Sequence, residues 1–281
     1  MPVKYIDRFI ESATLASDLE LEAKANEGFI IKDIFAESVV VGEYLTMIIS
    51  DTVMFACLNE STLIGMLRFS DAKESLKSLF TKIREKYPNV PLFRVSEGEK
   101  LVIKRLTDDT KCLVRYAHLT GAELPKSTEP GGTLSDNRLL ISSGSESFTV
   151  SSDLTDYLTN ITSMNPSGIP DFPFKVKVPS GYRMELLGFC LGVNKLTGTG
   201  IVIDGLRLWF HDESILTVDQ AYLSDDFFQY ISDAGQAIPF LFDSPIVMVS
   251  GDELKTEIKI TGTESDTGVV YISFIFNQIK V

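Results

Sequence analysis

The chain has 281 residues, of which 44% are apolar and 23% charged. That balance excludes a disordered or collagen-like chain and leaves room for one large core or two smaller ones. Its 39 acidic and 26 basic residues give a net charge of −13, which repels phosphates, and no basic patch offsets it, so direct nucleic-acid binding is not expected.

The opening stretch, Met1-Pro-Val-Lys-Tyr-Ile-Asp-Arg-Phe-Ile-Glu, mixes acids and bases among its apolar residues and lacks the uninterrupted apolar stretch of a secretory signal. No run approaches the roughly 18 consecutive apolar residues of a membrane helix, so a soluble protein is expected. Within residues 1–17, Tyr5, Phe9 and Ile10 can share one helical face, and the segment reads as an N-terminal arm.

Residues 18–124 read as a first β-sandwich. Phe29 to Phe35, Tyr44 to Leu58, Leu63 to Phe69, Pro91 to Val95, Leu101 to Leu106 and Cys112 to Leu119 are rich in β-branched and aromatic residues and are bounded by Gly, Asp, Asn and Ser. One helix interrupts them. Ser70 and Asp71 offer its cap, Leu76, Leu79, Phe80, Ile83 and Tyr87 recur at helical spacing as a core-facing stripe, and Pro88 ends it.

Residues 125–170 differ in composition. Pro125 to Asp136 is dense in turn formers and reads as a linker. Leu139 to Ile141 and Phe148 to Val150 suggest a hairpin, and Leu154 to Ile161 a short helix. Residues 171–281 then read as a second sandwich, with strands at Phe174 to Val178, Tyr182 to Cys190, Gly200 to Phe210, Pro245 to Val249, Leu254 to Ile260 and Val269 to Gln278. In Leu254-Lys-Thr-Glu-Ile-Lys-Ile apolar and charged residues alternate, so one face is buried and the other wet. A second helix is expected from Ser224 through Phe227, Phe228 and Ile231 to Gly235, in the connection that matches the first.

The two sandwiches look like copies of one another. Gly28-Phe29 matches Gly181-Tyr182, and at that offset Ile48 meets Ile201, Asp51 meets Asp204 and Glu60-Ser61 meets Glu213-Ser214. Further on, Pro91-Leu-Phe-Arg-Val-Ser-Glu-Gly-Glu-Lys-Leu parallels Pro245-Ile-Val-Met-Val-Ser-Gly-Asp-Glu-Leu with one residue deleted, and Thr107-Asp-Asp-Thr precedes a strand as Ser265-Asp-Thr does. Tandem duplication is the simplest reading.

Catalytic arrangements are not evident. His118 and His211 each sit in a strand-like setting without a second histidine or a cysteine pair, and read as structural or surface residues rather than zinc ligands. Cys57, Cys112 and Cys190 fall singly in apolar stretches, as buried reduced thiols do in a reducing compartment. Gly131-Gly132 and Gly198-Thr-Gly200 lack the context of a phosphate-binding loop and read as turns. Asp108-Asp109 suits a hairpin turn, and Asp225-Asp226 a helix N-terminus. No catalytic residue, cofactor or metal site is assigned. Trp209, the only tryptophan, falls in mid-strand and is expected in the core.

The order of elements, two tandem sandwiches each with a helix in an equivalent connection, resembles the double jelly-roll coat proteins of membrane-containing icosahedral viruses. Pro179-Ser-Gly-Tyr-Arg-Met-Glu-Leu-Leu-Gly and Val249-Ser-Gly-Asp-Glu-Leu, with the turn Thr261 to Gly268 and the strand Tyr271-Ile-Ser-Phe-Ile-Phe, also resemble jelly-roll domains of virion decoration and fibre proteins. The coat-protein resemblance implies a mainly β, non-enzymatic virion structural protein that forms homotrimeric, pseudo-hexagonal capsomers and assembles in the host cytoplasm. It further implies contact with other virion proteins, among them a membrane-associated component reached through the N-terminal arm. The alternatives are a decoration or fibre protein and a carbohydrate-binding β-sandwich.

Overall fold

The computed structural model describes residues 4–10, 18–37, 44–58, 79–88, 90, 93–104, 111–121, 137–151, 157–165, 168–197, 201–211, 213–219 and 240–281. The chain divides into two compact units, Met1–Asn59 with Ile64–Ile141 and Asn277–Lys280, and Glu60–Leu63 with Ser142–Phe276 and Val281.

The first sandwich holds β1 (Lys4–Ile10), β2 (Leu19–Glu22), β3 (Glu27–Glu37), β4 (Tyr44–Ile49), β5 (Thr52–Leu58), α1 (Leu79–Lys86), β6 (Arg94–Val95), β7 (Lys100–Lys104) and β8 (Lys111–Thr120). Its sheets run β1-β8-β3-β6 and β2-β7-β4-β5. First pairs with last, second with seventh, third with sixth and fourth with fifth, all antiparallel. The strands are thus one long hairpin, and rolling it up adds the pairs β3 with β8 and β4 with β7. That is the jelly roll, which leaves each sheet one inward and one outward face. Alternation follows: β2 buries Leu19 and Leu21 and exposes Glu20 and Glu22, and β7 buries Leu101 and Ile103. The core joins Phe55 of β5, Phe80 of α1 and Phe93, with ring centroids 5.5 to 6.2 Å apart.

The second sandwich repeats the scheme. It holds β9 (Asn137–Thr149), β10 (Tyr157–Leu158), β11 (Thr162–Ser163), β12 (Tyr182–Lys195), β13 (Val202–Phe210), β14 (Glu213–Asp219), β15 (Phe240–Met248), β16 (Leu254–Thr261) and β17 (Thr267–Lys280). The sheets are β11-β9-β17-β12-β15 and β10-β16-β13-β14. With the two-residue β11 set aside as an extra edge, the same first-with-last pairing recurs. The expected mainly β fold of two tandem jelly rolls is the observed one.

Equivalent turns repeat down to individual hydrogen bonds. In the first sandwich the Ser96 N–H donates to Glu99 Oε2 at 2.7 Å, the Glu99 N–H returns to Ser96 O at 2.9 Å, and Gly98 takes φ 79°. In the second the Val249 N–H donates to Asp252 Oδ2 at 2.6 Å, the Asp252 N–H returns to Val249 O at 3.0 Å, and Gly251 takes φ 93°. Both turns clasp one residue of an earlier segment. Ala23 exchanges bonds with Gly98 and Glu99, and Val178 exchanges them with Gly251 and Asp252. The following turns, Lys24 to Glu27 and Pro179 to Tyr182, place Asn26 and Gly181 at φ 63° and 79°. Gly181 therefore corresponds to Asn26, so the sequence match of Gly181 with Gly28 is two residues out of register, and the matches of Ile48 with Ile201 and Asp51 with Asp204 fail by more, because Ile49 and Phe210 hold the equivalent places against Leu101 and Leu254; the repeat stands on the strand order.

Several expectations change. Lys4–Ile10, expected within an N-terminal arm that could form a helical face, is a sheet strand, every residue of it pairing with β8 from His118 back to Cys112; the rest of residues 1–17 lies outside the described residues. Residues 137–149, expected as a hairpin inside a linker, form one continuous strand that opens the second sandwich. The Ser142-Ser-Gly-Ser run looks like a turn, yet Ser143 Oγ meets Ser273 Oγ at 2.8 Å across the sheet, and Gly144 makes room for the Phe174 ring. The helix expected at Leu154 to Ile161 is replaced by β10, paired with Lys259 and Ile258, while residues 152–156 lie outside the described residues. Phe174 to Val178 is irregular: Lys175 has φ 59°, and the N–H groups of Phe174 and Lys175 bond locally to Asp171 and Pro173. Phe172 and Phe174 lie against Phe276 and Phe274, at 5.2 and 6.0 Å between centroids. Tyr44 to Leu58 is two strands, joined by a two-residue turn in which Ser50 and Asp51 both have positive φ.

The strand expected at Leu63 to Phe69, the start of the first helix, the whole second helix and both acid pairs lie outside the described residues. Among the described residues no helix is long and apolar enough to cross a membrane.

Candidate functional site

The second sandwich carries a surface cleft at the end where the tip of the β13–β14 hairpin meets the turn between β15 and β16. Its volume is about 250 Å³, and Trp209, His211, Lys177, Asp252, Glu253 and Lys255 line it. Strand geometry places Trp209 and Lys255, and the turns and the irregular segment supply the rest. Along β13, Leu206 and Leu208 are buried while Arg207 and Trp209 face outward, and outward-facing Lys255, Glu257 and Lys259 alternate with the inner residues of neighbouring β16. Trp209 is therefore not a core residue, contrary to expectation. Its indole N–H donates to Glu257 Oε2 at 3.0 Å, and Arg207 lies 3.8 Å from the same carboxylate with its guanidinium 4.0 Å above the Tyr157 ring.

His211 occupies the hairpin tip at φ 51°, its side chain 63% exposed, with Nε2 3.2 Å from Asp252 Oδ1. Asp252 is nearly buried because its other oxygen accepts the Val249 N–H inside the turn. Sequence spacing does not reveal this pair, since its members come from two connections that only the rolled hairpin brings together. A second depression, of about 170 Å³, adjoins the first. The two share Glu253 and Lys255, and the second extends over Phe174, Lys175 and Thr159.

The corresponding end of the first sandwich has the same scaffold and different side chains. Phe210 pairs with Leu254 and Ile49 with Leu101, each immediately before its hairpin turn. Trp209 therefore corresponds to Ile48, His211 to Ser50, and Lys255 to Val102. The cleft residues have diverged on a retained frame.

His118, Cys112 and Cys190, also singled out in the sequence, line neither depression. His118 lies 3.4 Å from Glu27 Oε1 with its ring 5.4 Å from Phe29. Cys112 and Cys190 are buried thiols outside any disulfide, and burial pushes the Cys190 thiol up to about 12. The Cys57 side chain and both glycine pairs lie outside the described residues. Among the described residues no group of three or more His, Cys, Asp or Glu is placed to hold a metal ion.

By strand order the molecule belongs to the class of proteins that carry two jelly rolls in one chain. No protein-family model matches it, and no curated protein is similar to it. Among solved structures it is similar to the major capsid protein P2 from Bacteriophage PM2, at 8% identity over 97% of this chain and 98% of that one, with a TM-score of 0.40. It is also similar to the STIV MCP, at 10% identity over 98% and 96% of the two chains and a TM-score of 0.39. An IolB-like protein from Salmonella typhimurium matches at 10% identity over 97% and 82%, with a TM-score of 0.22.

Proposed function

We propose that this chain is a virion structural protein, a coat protein whose three copies form a pseudo-hexagonal capsomer. The observation that carries the reading is the strand order, the same rolled hairpin occurring twice in one chain. Jelly rolls recur as capsid building blocks. A hexagonal tile needs six similar edges, and three copies of a duplicated chain supply six similar sandwiches around a closed threefold ring. Among the described residues the sheets end on β1 and β6, β2 and β5 in the first sandwich, and on β11 and β15, β10 and β14 in the second, and such edges are ones that neighbours can cover.

The role is scaffolding rather than catalysis. Its partners are further copies of the chain and other virion proteins, and it is put together with them in the host cytoplasm and carried in the virion. A net charge of −13 sets the shell apart from nucleic acid, so the reading includes no direct genome contact. The test is the mass of the purified protein in solution by size-exclusion chromatography with light scattering. Three times the 31.2 kDa of the chain is expected, constant on dilution; a monomer at every concentration overturns the trimer.

A further inference from the structure

We propose that the cleft of the second sandwich binds a neutral oligosaccharide, with Trp209 as its apolar platform. The geometry of three features converges on this ligand class. The Trp209 N–H is already donated to Glu257, so what the indole offers a ligand in the cleft is ring surface, suited to the C–H face of a sugar. Around it the lining balances two cations, Lys177 and Lys255, with two anions, Asp252 and Glu253, and the His211 imidazole lies beside Asp252. A phosphate, sulfate or carboxylate ligand meets opposed carboxylates there, and a cation meets opposed ammonium groups. Sugar hydroxyls, which both donate and accept, pair with either kind.

The third feature is extent. The adjoining depression begins at the same Glu253 and Lys255 and continues over Phe174 and Lys175, which gives a chain of linked rings room beyond a single one. The side chains that set this end apart from its counterpart are the ones the ligand needs: Trp209 stands where the first sandwich has Ile48, His211 where it has Ser50, and Lys255 where it has Val102. The inference does not depend on assembly, because the cleft lies within one sandwich.

Trp209 is the only tryptophan, so intrinsic fluorescence reports the cleft directly. The full-length protein is titrated with neutral gluco-, galacto- and manno-oligosaccharides, from disaccharides to hexasaccharides, and in parallel with sialylated and sulfated glycans, up to about 10 mM, a range that captures the millimolar affinities of shallow polar sites. At least one series is expected to give a saturable emission change and to halve quenching by acrylamide, with longer chains binding more tightly. Lys255→Ala and Glu253→Ala are expected to weaken binding by at least about tenfold, which is one step of about 1.4 kcal/mol, while the unfolding temperature stays unchanged. Saturation-transfer NMR on Trp209→Ala is expected to lose the sugar signal. Absence of any saturable change across the panel overturns the inference. So does a Trp209→Ala protein that is folded and still binds, or a response confined to sialylated or sulfated glycans and abolished by salt.

Discussion

At the scale of single residues, the most constrained group joins α1 to β3. Pairing of β3 with β8 slips by one residue between Ile31 and Asp33, leaving Lys32 as a bulge and setting Asp33 opposite Arg115, on the other face of the strand from Ile31 and Ile34. Thr81 donates to Asp33, Arg84 donates to the Lys32 carbonyl and to Thr81, and Arg84 Nη2 lies 3.7 Å from Asp33 Oδ2. The cost falls on Lys32, whose pKa is lowered by burial first and by the Arg84 charge second, with Asp33 pulling the other way. A lysine whose folded pKa lies below its unfolded one destabilises the fold wherever both states carry the proton, and that burden lifts as pH rises from the folded value toward 10.5. Lys32→Met is therefore expected to raise the unfolding temperature at neutral pH, with the gain shrinking as pH approaches 10.5. Thermal melts of both proteins across that range check it, and a gain that grows with pH contradicts the assignment.

At the scale of elements, a second slip lies between Leu186 and Gly188 where β12 meets β15. A Cβ on Gly188 collides with the Phe240 carbonyl, which is backbone and cannot rotate away. Gly188→Ala is expected to cost about 2–3 kcal/mol, as overpacking against fixed atoms does, and the denaturant midpoint measures it. Deletion of residues 1–17 is expected to lower the unfolding temperature of the first sandwich by at least about 5 °C, because it strips β8 of its edge partner along Cys112 to His118 and leaves it paired with β3 alone. An unchanged melt would mean that β1 contributes nothing to that sheet.

Most strands were legible because their apolar residues alternate or cluster between turn formers, as Leu254 to Ile260 does. The bulges were not, since one inserted residue changes the phase of burial without changing composition: Phe29 and Ile31 are buried before Lys32, and Ile34 after it. Lys4–Ile10 was misread because a short apolar segment fits a helical face as well as a strand, and only its distant partner β8 decides. Trp209 was misplaced for a related reason. A large aromatic in a strand is usually inward, and nothing local shows that Glu257 waits for it on the outer face.

At the scale of the whole molecule, the same rolled hairpin occurs twice with different side chains. The clasps at Ala23 and Val178 keep the same hydrogen bonds although the residues making them differ, because backbone donors and acceptors tolerate side-chain change provided each turn keeps a glycine at positive φ and an acid to accept its first N–H. Divergence is concentrated where no core packing forbids it, as at Ile48 and Trp209. The duplication was legible in the sequence through paired turns, and the cleft was not, since it is assembled from a hairpin tip, an interstrand turn and the irregular segment at Lys177.

Negative-stain electron microscopy of the purified assembly tests the proposed coat-protein role most directly. Class averages viewed down the threefold axis should show six lobes in a near-hexagonal outline, two from each chain. A threefold particle with three lobes, or single particles that never associate, would contradict it.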